Sequence, residues 1–217
     1  MADLMTIARP GLDSAYQNRR SGAFIVLFCV GVVTCYYGYP SSHAVFDTVA
    51  SWKGRYGWAF SALSAILSGA LLPELLQALL FRRGSLRNLM VTVPFWGVQG
   101  LSVDALYRLQ GMMFGEVNTL ACLTAKVLVD QLLYTPLYAA PVAAWVYTWK
   151  DTPQRLAEPG FYRHLVVPRL FANWGVWIPT VSCVYSLPAL LQIPLFAAVL
   201  CFWSLVLASL VPAPHEN

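Results

Sequence analysis

The sequence has few charged residues for its length. Of its 217 residues, 14 are lysine or arginine and 10 are aspartate or glutamate, so 11% are charged, against about 25% in a typical soluble domain. Hydrophobic residues make up 58%. So few charges cannot coat a water-soluble fold of this size, and a chain with so much apolar surface to bury does not stay unfolded. We therefore expect a membrane protein.

The sequence also lacks the patterns of metal, disulfide and nucleic-acid sites. Its five cysteines form no Cys-x-x-Cys pair and lie within apolar stretches, and its three histidines show no metal-binding spacing. We expect no metal, no cofactor and no disulfide framework. The net charge of +4 is spread over short clusters without a basic stripe, so nucleic acid is not an expected partner.

Long apolar runs are what the sequence does have. Each approaches or exceeds the roughly 20 residues that a helix needs to cross about 30 Å of hydrocarbon, and backbone groups in lipid must pair within a helix or a closed barrel. No run alternates as a membrane barrel strand does. We predict an all-α, polytopic membrane helix bundle of about six kinked transmembrane helices, forming one integral domain over residues 1–217 with polar segments at 1–21 and 212–217. The runs are Ala23–Tyr39, Trp58–Phe81, Leu89–Leu106, Val117–Trp149, Leu165–Leu187 and Ala189–Val211.

The fourth run decides the number of crossings. It has 33 residues and contains Pro136 and Pro141, so it is either one kinked crossing or two short ones. With a single crossing, ten lysines and arginines fall in predicted loops on one side and three, Lys53 among them, in predicted loops on the other, with Lys126 left out. This bias follows the positive-inside rule. We therefore predict six crossings, with both termini on the cytoplasmic or matrix side of a peroxisomal, mitochondrial inner or bacterial inner membrane.

Three polar residues in the fourth run are candidates for function. Lys126 and Asp130 lie one helical turn apart, on a face that we expect to point into the bundle, and Gln131 follows directly. A charged residue at the centre of a crossing costs about 2.5–3.5 kcal/mol, so such residues need a partner or water. They either line a water-filled path, lie near the membrane surface, or lock two helices together by a salt bridge.

Further ionisable residues lie in the second and third runs. Asp104 and Arg108 form another pair one turn apart, whereas Glu74, near Gln77, has no partner close by in the sequence. Such a lone carboxyl group either becomes neutral or meets a cation from another helix. If all these groups converge, they form one polar path between the helices.

The fourth and fifth runs resemble a known family. The residues from Lys126 to Pro136 read Lys-Val-Leu-Val-Asp-Gln-Leu-Leu-Tyr-Thr-Pro, similar to the Lys-x-x-x-Asp-Gln-x-x-x-x-Pro signature of the Mpv-seventeen/peroxisomal membrane protein 22 kDa family. Asn173-Trp174-Gly-Val-Trp177 resembles that family's Asn-Trp-x-x-Trp-Pro element, with the proline displaced to Pro179. The resemblance covers about half of the chain and indicates a divergent member. It implies a compact, channel-like helical protein without a cofactor, whose polar cluster here would include Lys126, Asp130, Gln131, Asn173, Trp174 and Trp177.

We therefore predict a channel-like integral membrane protein that passes small solutes or ions. Its partners would be the lipid bilayer and the solute, and the sequence leaves its oligomeric state open. No Ser-His-Asp order and no Asp-rich motif is present, so the sequence favours a protein without catalytic residues. The alternatives are an intramembrane enzyme acting on a lipid or isoprenoid, with Glu74 or Asp104 as proton donor, and a membrane scaffold or assembly factor. The predicted polar cluster comprises Glu74, Gln77, Asp104, Lys126, Asp130, Gln131, Asn173, Trp174 and Trp177.

Overall fold

The computed structural model describes residues 2–82, 84–116 and 118–209, and within these ranges it contains helices and no strand. The all-α prediction is confirmed. Most of the N-terminal polar segment forms a helix, whereas the polar tail predicted at 212–217 lies outside the described residues. In chain order the helices are α1 (Ala2–Gln17), α2 (Arg19–Gly38), α3 (His43–Ile66), α4 (Leu72–Phe81), α5 (Leu86–Phe114), α6 (Leu120–Val129), α7 (Ala140–Asp151), α8 (Val167–Ser186) and α9 (Ala189–Ser209).

Four helical stretches among the described residues are long and apolar enough to cross a membrane, by length and composition. They contain most of the first four predicted runs, as expected of a membrane protein. The fifth and sixth runs form α8 and α9, which do not belong to these four. The four stretches are Arg19–Gly38, Pro40–Leu80, Leu86–Phe114 and Leu120–Asp151.

Several of the long helical stretches depart locally from α-helical geometry but remain continuous. Gly57 has φ 52° and ψ −121°, a conformation that glycine adopts readily because it has no Cβ, and it kinks α3. A π-helical turn over Leu67–Leu71 joins α3 to α4, and another over Asp130–Ala139, which contains Pro136, joins α6 to α7. A wide turn accommodates the missing backbone donor of a nearby proline. From Leu120 onward the fourth run is therefore one continuous helix, and its number of membrane crossings stays a prediction.

The described helices form two compact units. Unit 1 contains residues 2–30 and 118–186, and thus α1, the first part of α2, and α6 to α8. Helix α1 packs against α8 so closely that a Cβ atom on Gly11 would lie 2.0 Å from the carbonyl oxygen of Pro168. Helix α6 also packs on α8. Ala144, Val166 and Leu170 form a buried apolar cluster in this unit.

Unit 2 contains residues 31–116 and 187–209, and thus the end of α2, helices α3 to α5, and α9. Small residues bring α3 and α5 together: a Cβ atom on Gly100 would lie 2.4 Å from the carbonyl oxygen of Ser61 and 2.6 Å from the Cβ atom of Ala65. The fourfold spacing of Ser61, Ala65 and Gly69 in the sequence predicts such an approach. That prediction is confirmed.

Candidate functional site

The polar residues of the fourth run lie inside unit 1. Lys126, Asp130 and Gln131 are 4%, 5% and 3% exposed, although the helix that carries them is apolar along most of its length. The prediction that this face points inward is confirmed. Because each of these groups loses its hydration on burial, each requires polar partners in the protein or a bound molecule.

The Asp130 carboxylate has three partners, all of them uncharged. Its Oδ1 atom accepts hydrogen bonds from Gln131 Nε2 at 2.9 Å and Thr135 Oγ1 at 3.3 Å, and its Oδ2 atom accepts one from the Tyr185 hydroxyl at 2.7 Å. Thr135 follows Asp130 by five residues, the spacing that a π-helical turn brings together. The wide turn therefore helps to place a donor on the carboxylate. We call Lys126, Asp130, Gln131, Thr135 and Tyr185 the Asp130 cluster.

Lys126 does not form the salt bridge with Asp130 that one-turn spacing suggests. Within the described part of the chain, its ammonium group has no hydrogen bond and no ion pair. The carboxylate is already held by three neutral donors, one of them on α8, so Asp130 is directed toward α8 rather than toward Lys126. The interpretation of these two residues as a salt bridge that locks two helices is wrong.

Helix α8 contributes directly to this cluster. Trp174 Nε1 donates a hydrogen bond to the backbone oxygen of Gln131 at 3.0 Å. The side-chain oxygen Oε1 of Gln131 is buried and has no hydrogen-bond partner among the described residues. Asn173 and Trp177, the other two predicted residues of this helix, are half-buried on α8. The structure thus joins Trp174 to the cluster by a hydrogen bond.

Unit 2 has a polar cluster of its own around Asp104. Its Oδ2 atom accepts from Lys53 Nζ at 2.6 Å and from Ser61 Oγ at 2.8 Å, and its Oδ1 atom accepts from Arg108 Nε at 3.1 Å. The predicted pair of Asp104 and Arg108 is therefore confirmed. Lys53 also donates to Ser61 Oγ at 2.7 Å and to the carbonyl oxygen of Gly57 at 3.0 Å. We call Lys53, Ser61, Asp104 and Arg108 the Asp104 cluster.

The sequence-based assignment of Lys53 to a loop is wrong. Lys53 lies within α3 and is 3% exposed. It precedes Gly57, where α3 is kinked, and its ammonium group donates a hydrogen bond to the carbonyl oxygen of Gly57. Lys53 therefore carries no information about which side of a membrane the adjoining segment faces.

Glu74 and Gln77 do not belong to the Asp104 cluster. Glu74 accepts hydrogen bonds from the backbone N–H of Ser85 and, at 3.4 Å, from Asn88 Nδ2. Both donors lie at the start of α5, where a carboxylate is favoured by the helix dipole. Gln77 is half-buried, and its backbone carbonyl oxygen accepts a hydrogen bond from the backbone N–H of Arg82 at the end of α4. Among the described residues, Glu74 thus meets backbone and amide donors instead of a cation, and none of these donors also binds Asp104.

One buried polar residue escaped the sequence analysis. Gln110 is 1% exposed, and neither its Nε2 nor its Oε1 atom has a hydrogen-bond partner among the described residues. Thr92, Gln99 and Gln110 are all buried on α5, and their spacing of seven and eleven residues places them on one face of an α-helix. That spacing is visible in the sequence. It could have singled out a polar face within the third run.

The described residues include no group of three or more His, Cys, Asp or Glu side chains that could hold a metal ion. A comparison of the chain with models of protein families, with curated proteins and with solved structures finds no match in any of the three. The resemblance to the Mpv-seventeen/peroxisomal membrane protein 22 kDa family therefore stays a prediction. The Asp130 cluster thus contains a buried lysine and a carboxyl group that accepts three hydrogen bonds from the protein. It also contains the Gln131 side-chain oxygen, which has no hydrogen-bond partner among the described residues.

Proposed function

We propose that this chain is a multi-pass membrane protein that passes small solutes or ions along a polar path, and that the Asp130 cluster lies on that path. Six crossings would be formed by α2, the α3–α4 stretch, α5, the α6–α7 stretch, α8 and α9. Both termini would face the cytoplasm or matrix, as the distribution of positive charge favours. The sequence resemblance to a family of channel-like proteins supports the same function.

One observation carries this proposal most directly. A lysine, an aspartate and a glutamine are all at least 95% buried on one long apolar helix, where ionisable residues are expensive and usually functional. Two of their polar groups, the Lys126 ammonium and Gln131 Oε1, have no partner among the described residues. Polar side chains that serve only to hold helices together would be expected to form hydrogen bonds with one another, leaving none without a partner.

The enzymatic alternative has a weaker basis in the geometry. It requires Glu74 or Asp104 to hold a proton for donation, but Asp104 lies between two cations and a hydroxyl group. Glu74 accepts hydrogen bonds at the start of a helix. Both carboxyl groups are therefore occupied as hydrogen-bond acceptors within the protein. The scaffold alternative fits the Asp104 cluster, whose contacts join α3 to α5.

Reconstitution into liposomes tests the proposed function. Vesicles containing the full chain should release entrapped glycerol and formate faster than empty vesicles, and Asp130→Asn should change the release rates because it removes a charge while keeping the shape of the side chain. Asp47→Asn makes the same chemical change at an exposed position of α3 and should leave release unchanged. Release equal to that of empty vesicles would refute the proposal.

A further inference from the structure

Lys126 is a buried residue whose ammonium group has no ion-pair partner in the described part of the chain. It is 4% exposed, and no described residue accepts a hydrogen bond from its ammonium group. An ammonium group without a partner in the protein depends on water or on a bound molecule for its hydrogen bonds. A protein retains such a group most readily when a bound molecule supplies the missing charge.

Lys53, the other buried lysine, has the hydrogen-bond partners expected of a lysine with a structural role. Lys53 is 3% exposed, much like Lys126, but it donates to Asp104, to Ser61 and to the Gly57 carbonyl oxygen. These three acceptors match the three donor hydrogens of an ammonium group. Lys126 has none of the three. The two lysines thus differ in partners and not in burial.

The carboxyl group one turn from Lys126 forms no ion pair with it. Asp130 receives hydrogen bonds from Gln131, Thr135 and Tyr185, so its carboxylate is already solvated by the protein. Within the Asp130 cluster, the ammonium group of Lys126 is therefore the donor that lacks an acceptor among the described residues.

We propose that Lys126 binds a small monovalent anion, a carboxylate such as formate or a halide, and that such anions are the preferred solutes of this protein. The proposal rests on the proposed function and names its solute class. The anion would accept hydrogen bonds from the Lys126 ammonium group. One ammonium group balances a single negative charge, so the divalent sulfate should be excluded.

Electrical and release measurements on Lys126→Met test this selectivity. In a planar bilayer with a potassium chloride gradient, the unmodified chain should conduct chloride in preference to potassium. Lys126→Met should lower the chloride-to-potassium permeability ratio by about tenfold or more, the worth of one charge-assisted hydrogen bond. Lys126→Arg keeps the charge and should retain the preference for chloride. Sulfate permeation equal to that of chloride, or an unchanged ratio in Lys126→Met, would overturn the proposal.

A stability measurement decides on the anion site even without transport. Formate should raise the unfolding temperature of the detergent-solubilised chain and should not raise that of Lys126→Met, because the variant lacks the ammonium group that binds it. The variant itself should fold and unfold at an equal or higher temperature, since it removes an uncompensated charge. If neither protein releases any solute, the proposed function fails. If formate then stabilises both proteins equally, the anion site fails as well.

Discussion

Replacing Asp104 by asparagine tests whether the buried ion cluster of unit 2 stabilises the fold through its charge. The amide keeps the shape of the carboxylate but loses the negative charge that faces Lys53 at 2.6 Å and Arg108 at 3.1 Å. Lys53 is 3% exposed, so its ammonium group would remain buried beside a neutral partner. Removing one partner of a buried ion pair costs about 3–5 kcal/mol. The Arg108 contact adds less than about 1 kcal/mol, because that side chain is half exposed.

This loss corresponds to a large shift in thermal unfolding. At about 2–4 °C for each kcal/mol in a chain of this size, Asp104→Asn should unfold some 6–20 °C below the unmodified protein, as followed by circular dichroism in detergent. The exposed Asp47→Asn is the matched control. A double variant, Lys53→Met with Asp104→Leu, should recover most of the loss because it removes both charges.

Two outcomes would refute this reasoning. Unfolding of Asp104→Asn within about 2 °C of Asp47→Asn, a difference of under about 1 kcal/mol, would mean that Lys53 does not depend on the carboxylate. A double variant no more stable than Asp104→Asn would mean that the loss arises from packing and not from an unpaired charge.

Two further substitutions test contacts in each unit. Tyr185→Phe removes one hydrogen bond to the Asp130 carboxylate and should lower the free energy of unfolding by about 1.5–3 kcal/mol, measured by denaturant titration in detergent; a loss below about 0.5 kcal/mol would contradict the bond. Gly100→Ala should lower it by about 1–3 kcal/mol, because the new methyl group would meet the Ser61 backbone. Gly31→Ala, where a Cβ atom would have no neighbour within 4 Å, should stabilise its helix by up to about 1 kcal/mol, and equal effects of the two alanines would contradict the close approach.

Hydropathy predicted the positions of the helices because apolar length is a property of the chain itself. The six apolar runs coincide closely with helical stretches, and the small residues around Ser61 predicted a close approach to a neighbouring helix, which the structure identifies as α5. The start of α3 was missed because His43–Ile66 begins with a segment too polar to count as an apolar run. That is why Lys53 was assigned to a loop.

The partners of the polar residues could not be read from spacing alone. One-turn spacing correctly paired Asp104 with Arg108, but the same rule suggested Lys126 for Asp130. The actual partners of Asp130 include Tyr185, 55 residues away, and Thr135, which reaches it across a π-helical turn. Patterns based on 3.6 residues per turn reveal neither a contact between distant helices nor a locally widened turn.

The unbroken passage from α6 to α7 makes this helix longer than a membrane is thick. It has 32 residues from Leu120 to Asp151, about 48 Å at the α-helical rise of 1.5 Å per residue, against about 30 Å of hydrocarbon. In the proposed bilayer it must therefore lean or extend some 18 Å beyond the acyl chains. Thinning or thickening of the lipid would change that inclination, and with it the depth of Lys126 and Asp130. Lipid composition thereby becomes a physical variable acting on the buried polar groups themselves.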